Sequence, residues 1–252
     1  MRSFSDPNVI HVNNRVDPND DLAIVETELA LADLEAAKKR LEQITKQMKA
    51  GADKKVLQQK AVLEAVVAGL EQGTAARDHE RFAEFKELFH DLQLLTAKPQ
   101  LVVVNTDDGM PTVVALNTKS PIIYISARTE AELADLSPEE AAAYLRESGT
   151  EQSGLDKLIV AGYTLLNLIT FLTSGEPETR AWTVRAGATA PQAAGVIHTD
   201  FEKTFIRAEV VNWKDFVEQN GWVGAKEKGL VRIEGKEYVL RDGDVCYFRV
   251  GA

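Results

Sequence analysis

Cysteine is almost missing from this chain: Cys246 is the only one in 252 residues. No internal disulfide and no cysteine-based metal site can form, and a reducing compartment suits the chain. The four histidines, His11, His79, His90 and His198, share no ligand spacing, so a histidine metal cluster is excluded as well. Long apolar runs are also absent. No stretch approaches the roughly 18 to 20 residues of a membrane span, and the opening MRSFSDPNVIHV lacks the apolar core of a secretory signal. A cytoplasmic location without a membrane anchor is therefore expected. Basic residues are scarce, with 29 Lys and Arg against 39 Asp and Glu and a net charge of -10. Such a balance excludes indiscriminate coating of nucleic acid, which Lys and Arg drive by releasing counterions. The deficit is uneven: from Arg180 onward there are 11 basic and 10 acidic residues, against 18 and 29 upstream.

At 44% hydrophobic, the chain can bury a real core, and its length suits two compact units plus an extension. Met1 to Val12 is short and partly extended, with Val9, Ile10 and Val12 apolar after the turn Asp6-Pro7-Asn8. Asp17-Pro18 starts a long helix, an N-cap carboxylate followed by proline in the first turn. Leu34, Ala37, Leu41, Ile44 and Met48 follow at steps of three and four, a coiled-coil seam. After Gly51-Ala52-Asp53, Val56, Leu63, Val67 and Leu70 keep the spacing, so a second helix folds back antiparallel as far as Gly73. The tip near Lys49 to Lys55 is a place for partner contact. Phe82, Phe85, Leu88, Phe89 and Leu92 predict another helix.

Leu101 to Val104 and Ile122 to Ile125 are short continuous apolar runs, which predict two strands of a parallel sheet covered on both faces. Their connection holds Gly109, Pro111 and Asn117 and is poor in helical periodicity. Ser137-Pro138-Glu139-Glu140 caps and starts a helix. A further helix begins at Ser153-Gly154-Leu155-Asp156 and is apolar almost all round from Leu158 to Leu172, so it is expected to lie buried between the two halves. Gly175-Glu176-Pro177 reads as a hinge. Beyond it, Arg180 to Arg185 alternates as a strand, Thr189 and Pro191 start a short helix near Gln192 to Ile197, and strands resume around Phe205 to Val210. Two more strands, Glu237 to Leu240 and Val245 to Val250, flank the turn Asp242-Gly243-Asp244. A small mixed sheet gripping one helix is a β-grasp shape.

These C-terminal residues, RAWTVRAGATAPQAAGVIHTDFEKTFIRAEV with EGKEYVLRDGDVCYFRV behind them, closely resemble the TGS domain of the Obg-like ATPases of the YchF type. The likeness extends to SFSDPNVIHVNNRVDPNDDLAIVETELALADLEAAKKRL near the start and to LQLLTAKPQLVVVN in the middle. It covers most of the chain but begins partway into the family's nucleotide-binding domain. The implied fold is α/β plus α+β: a partial P-loop-type parallel sheet with an inserted antiparallel helical coiled-coil hairpin, then a β-grasp (TGS) domain. The expected divisions are a G-domain remnant over 1–16, the hairpin over 17–75, the C-terminal part of the G domain with connecting helices over 76–178, and the TGS domain over 179–252.

Phosphate binding by a P-loop needs G-x-x-x-x-G-K-[ST], because successive backbone N–H groups wrap the phosphates while lysine and hydroxyl reach phosphate and magnesium. No such stretch occurs, and no D-x-x-G switch sequence either. Asn105-Thr106-Asp107-Asp108 follows the first strand where P-loop GTPases carry N-K-x-D and the resembled family N-x-x-E. An asparagine and a carboxylate there can hydrogen-bond a purine edge. Thr106 in place of lysine agrees with ATP rather than GTP, whereas Asp108 departs from the family glutamate. Ser126-Ala127-Arg128 resembles the second base-side loop. By resemblance the base-binding residues are Asn105, Thr106, Asp108, Ser126 and Ala127, and the implied cofactors are ATP and magnesium. No catalytic and no metal-binding residue is expected. His198, flanked by Thr199 and Asp200, reads as a polar turn residue, and Cys246 as core packing.

The resemblance implies a ribosome-associated ATPase linked to translation and stress. This polypeptide is expected to act as a truncated member that binds partners, ribosomal protein or RNA, rather than hydrolysing nucleotide. Arg180, Lys203 and Arg207 are the candidate contacts, and an open sheet edge at Val9 to Val12 and the two strands would favour self-association. Two alternatives stand beside it: an active ATPase whose P-loop half precedes this sequence, and a free-standing TGS regulatory adaptor.

Overall fold

The computed structural model describes residues 1–12, 15–49, 51, 53–108, 114–176 and 178–251. Ala52 of the expected helical turn, Gly109 and Pro111 of the inter-strand connection, and Pro177 of the expected hinge lie outside the described residues. The chain divides into two compact units, residues 1–161 and 162–252.

In the first unit, α1 (Pro18–Lys49) and α2 (Lys54–Glu71) form the hairpin. Ala30, Ala37 and Ile44 recur every seven residues along α1 and bury against Val56, Leu63, Val67 and Leu70 of α2. Asp53 caps α2, accepting from the Val56 N–H at 2.8 Å. The next helix, α3 (Phe82–Leu88), stops before Leu92, shorter than its apolar spacing predicts, although Phe85 and Phe89 still stack with centroids 5.4 Å apart. Asp33 explains the early stop. Buried in mid-α1 at 3% exposure, its carboxylate accepts from the backbone N–H groups of Leu95 and Thr96 at 2.7 and 2.6 Å, drawing that segment onto the hairpin as a non-helical loop.

The expected parallel pair forms: β1 (Val102–Asn105) lies beside β2 (Ile122–Ile125), with Val102 opposite Ile122 and Asn105 opposite Ile125. Val102 and Val104 bury against Leu22 of α1. The other side of β1 differs from expectation. Met1–Ser3, not Val9–Val12, runs alongside it: the Met1 amino group donates to the Val103 carbonyl at 2.6 Å and the Ser3 N–H to the Asn105 carbonyl at 2.8 Å. The Arg2 guanidinium donates to the carbonyls of Phe4, Asp6 and Val9, which curls the segment into a turn. Ile10 and Val12 are left 87% and 95% exposed. The sheet is also less covered than expected, since every β2 residue is only half-buried. α4 (Ala127–Ala134) and α5 (Pro138–Glu147) follow, α5 with the capping box that Ser137 and Glu140 predict.

The largest correction concerns Leu158 to Leu172. α6 (Gly154–Leu166) has no buried residue and ends at Asn167, whose φ of 53° lies in the left-handed region. Leu168–Ser174 is then strand β3, not helix, and it pairs along its whole length with β4 (Thr179–Arg185). An apolar-all-round run is equally the mark of a strand buried on both faces. Here Phe171 faces one core and Leu172 another. Gly175 and Glu176 consequently follow β3 inside the second unit, rather than forming a hinge before it.

The second unit is a five-stranded sheet in the order β4-β3-β7-β5-β6, where β5 is Phe205–Asn212, β6 Arg232–Glu234 and β7 Asp244–Val250. β3 and β7 are parallel and the other neighbours antiparallel. Between β4 and β5, α7 (Ala190–Ile197) lays Ala190, Ala193 and Ala194 on one face, over Phe171, Val184, Phe205, Val210 and Cys246. The expected strand at Glu237–Leu240 reduces to a single bridge between Val239 and Thr189. Three short helices have no counterpart in the sequence reading: α8 (Thr199–Thr204), α9 (Trp213–Glu218) and α10 (Trp222–Glu227). The Asp242-Gly243 turn is tight, with Gly243 at φ 79°, where an added Cβ would sit 2.4 Å from the Trp213 ring. Cys246 is buried, and desolvation pushes its thiol well above the ordinary range.

Candidate functional site

Parallel pairing brings the ends of β1 and β2 to the same edge, so the loops after them meet, the arrangement that places ligands at strand C-termini in α/β sheets. The side chain of Asn105 accepts from the Ala127 N–H at 2.9 Å. Ser126 caps α4 by accepting from the Thr129 N–H at 3.1 Å, and donates its own hydroxyl to Asp108 at 2.6 Å. Thr129 Oγ1 donates to the same Asp108 oxygen at 2.9 Å, and the Arg128 guanidinium lies 3.5 Å from the other. Hydrogen bonds from Ser126 and then Thr129, with the Arg128 charge, hold the Asp108 carboxyl below the ordinary carboxylate range. Thr106 is buried, and its N–H and hydroxyl both donate to the Ile125 carbonyl, at 2.8 and 3.3 Å.

The five base-side residues thus lie on two neighbouring loops, but only Thr106 and Ser126 of them line the adjacent cavity of about 270 Å³, with Thr129, Glu130, Tyr144 and Lys157. Two of its groups escaped the sequence reading. Thr129 was detectable from its three-residue spacing to the cap Ser126. Glu130 was not, because its partners, the N–H groups of Gly154 and Leu155 at 2.6 and 3.1 Å, lie on a distant segment.

The three basic candidates of the second unit do not converge. The Arg180 guanidinium sits 4.1 Å over the Trp182 ring, and Trp182 packs on the α7 side of the sheet. Lys203 lies on α8. Arg207 is on the opposite face, level with Arg249 on β7. His198 is an exposed cap whose Nδ1 accepts from the Asp200 N–H at 3.3 Å, the turn role expected of it. The sequence reading missed Glu209, which is 8% exposed and accepts from Lys226 Nζ at 2.7 Å and Arg249 at 3.4 Å. The hydrogen bond from Lys226 is the main reason its carboxyl is held below the ordinary range, with Arg249 adding to it.

Among the described residues no group of three or more His, Cys, Asp or Glu could hold a metal ion, and no helix is long and apolar enough to cross a membrane. At the loops of Asn105 and Ser126, the acceptors that a nucleobase edge would need are engaged by Ala127, Ser126 and Thr129. A triphosphate and its magnesium find no comparable ligand set among the described residues.

A parallel α/β fragment with an asparagine-carboxylate loop, an inserted helical hairpin and a β-grasp unit define a P-loop-type nucleotide-binding fold carrying a TGS-like domain. The comparisons agree. The family model YchF-GTPase_C, described as a protein of unknown function (DUF933), matches residues 168–251. The ribosome-binding ATPase YchF of Escherichia coli O157:H7 is 42% identical over 257 residues, covering 98% of this chain and 70% of the relative. Its Bacillus subtilis (strain 168) counterpart is 42% identical over 261 residues, covering 99% and 71%. The solved structure of the Schizosaccharomyces pombe YchF GTPase superposes with a TM-score of 0.83 at 34% identity, over 98% of this chain and 70% of that one. The chain belongs to the YchF family of Obg-like ATPases.

Proposed function

We propose that this polypeptide is a cytoplasmic, ribosome-associated member of its family that works by binding partners, through ribosomal RNA or protein, rather than by turning over ATP or GTP. Relatives carry ribosome binding in their names, and this chain aligns with them almost throughout. The observation that carries the partner-binding role is the contrast between the two candidate regions. The second unit is a continuous five-stranded sheet with its own core, matched as a whole by the family model. The base-side loop spends its acceptors on its own neighbours: Asp108 on Ser126, Thr129 and Arg128, and Asn105 on Ala127.

Asn105 and Asp108 would have to release these neighbours to meet a purine edge, so only weak ATP binding, without hydrolysis, belongs to the proposal. Self-association belongs to it as well, through β2, whose only strand neighbour among the described residues is β1.

Co-sedimentation of the full chain with ribosomes at low and moderate salt tests the association, alongside magnesium-dependent ATP and GTP turnover against a heat-killed control. Pelleting that persists at moderate salt with no turnover is the expected result. Turnover abolished by Asn105→Ala, or absence from the ribosomal pellet at every salt concentration, would sink it.

A further inference from the structure

The first turns of α1 cover β1 only in part. Leu22, Val25 and Leu29 fall at steps of three and four and so share one face of α1. Leu22 packs with Val102, but Val25 and Leu95 each remain 42% exposed. Between this stripe and the segment 95–103 runs an open groove of about 480 Å³.

The polar groups of the groove are few and of one kind. Apart from Arg77, Lys98 and Gln100 its lining is apolar, and among the described residues no carboxylate lines it, in a chain where acidic residues outnumber basic ones by 39 to 29. Arg77 stands on a single helical turn, Ala76–Asp78, and is half-buried. Its guanidinium donates to the Thr96 carbonyl at 3.1 Å and to the side-chain oxygen of Gln100, both neutral acceptors. These bonds fix its direction without answering its charge, and a charge partly withdrawn from water is unfavourable until an opposite charge meets it. A neighbouring cavity of about 250 Å³ shares Leu29, Arg77 and Gln100 and adds Glu26, Asp78 and Lys119. Taken together the two hold three cations, Arg77, Lys98 and Lys119, against two carboxylates, and the apolar groove holds cations alone.

We infer that this groove binds a single-chain amphiphilic anion of the medium-chain fatty acid class, with its hydrocarbon along Leu22, Val25, Leu29 and Leu95 and its carboxylate at Arg77 and Lys98. Arginine carries five N–H donors, and Arg77 spends two of them on Thr96 and Gln100. The others are available to a carboxylate, which a guanidinium can meet with two parallel bonds. The volume falls within the range of small-ligand clefts, about 300–1,000 Å³, which are likewise mostly apolar with a few placed polar groups. A peptide helix about 10 Å across would fill it in little more than one turn. A neutral hydrocarbon leaves the Arg77 charge unanswered, and a polyanion leaves the apolar floor unused. The inference goes beyond the ribosome association proposed above and does not rest on it.

Decanoate is titrated into the full chain by isothermal calorimetry, and one saturable site is expected. Octanoate, two methylenes shorter, is expected to bind about five- to fifteenfold more weakly, at up to roughly fourfold for each buried CH₂. Decanol keeps the chain and loses the charge, and Arg77→Gln removes the partner of that charge. Each is expected to weaken binding by about tenfold or more, the scale of one hydrogen bond to a charged group. Lys98→Gln, at an exposed position, is expected to weaken it by about two- to fivefold. Because Arg77 also holds Thr96 and Gln100, a second variant separates lost contact from lost fold. Val25→Glu sets a carboxylate in the groove wall from a half-exposed position on α1, and is expected to abolish binding with an unchanged thermal transition. Ile159→Glu, which alters a comparably exposed apolar residue outside the groove, is expected to bind as the parent does. Decanol matching decanoate, parent-like affinity in both Arg77→Gln and Val25→Glu, or a loss in Ile159→Glu equal to theirs would each overturn the inference. So would equal binding to phosphatidylglycerol vesicles, which would place the contact on a membrane surface, or the absence of any saturable binding.

Discussion

The two units bury their apolar residues in different ways. The first spreads its core along a seam: the hairpin contributes Ala37, Ile44, Val62 and Leu63, whereas the parallel pair buries little beyond Val102 and Val104, and α4 to α6 bury no residue. The second closes a sheet around Phe171, Phe205, Val210 and Cys246 and adds a smaller cluster behind it. An α-helical hairpin satisfies its backbone locally and tolerates a thin core. A five-stranded sheet depends on each strand being present, because every internal strand satisfies two neighbours.

The sharpest way to break this comparison is by dissection. A fragment beginning at Thr179 lacks β3, which pairs β4 throughout and touches β7. It is expected to show no cooperative unfolding transition, whereas a fragment beginning at Gly162 retains one; equal transitions from both would mean that β3 is dispensable. Point changes come next. Phe171→Ala, at 0% exposure, should cost about 3–5 kcal/mol in denaturant unfolding, while Ile159→Ala, half exposed on α6, should stay within about 0.5 kcal/mol. Gly243→Ala meets both a left-handed backbone and the Trp213 ring, and should cost about 1–3 kcal/mol, seen as a lower midpoint with an unchanged slope.

The smallest effect concerns pH. Glu209 has its carboxyl pKa depressed below the ordinary 4.5 by Lys226 and Arg249. Its contribution is fully present above that value, where the unfolded chain is also ionised, and is lost as pH falls through the lower folded value. Glu209→Gln should flatten the acid limb of the second unit's stability below about pH 4.5 and leave the first unit's limb unchanged. An unaltered acid limb would show that the carboxylate is not titrating against those cations.

The hairpin, the Ser137 capping box and the parallel pair were legible because each is written within a few consecutive residues. The turns after β1 and β2 were as well, since Asn105 and Ser126 close two short apolar runs that pair in parallel. β3 was not. Leu158 to Leu172 is apolar with neither a period of 3.6 nor of 2, and only the availability of β4 as an antiparallel partner turns its second half into strand. The short helices α9 and α10 lack the length that periodicity needs. Glu209, Lys226 and Arg249 are separated by 17 and 23 positions and share no pattern. The sheet register alone assembles them, which is also why Arg207, grouped with Arg180 and Lys203 by charge, ends up on the other face.

Trp182, Trp213 and Trp222 are the only tryptophans of the chain, and all three lie in the second unit. Indole emission therefore reports on that sheet alone, while most of the far-ultraviolet helical signal comes from α1 to α5, all in the first unit, with 32 residues in α1 and 18 in α2. One unlabelled sample carries two separate optical reporters, one per unit. Heating it while recording both would show directly whether the hairpin melts with the sheet or before it, with no dye, tag or substitution.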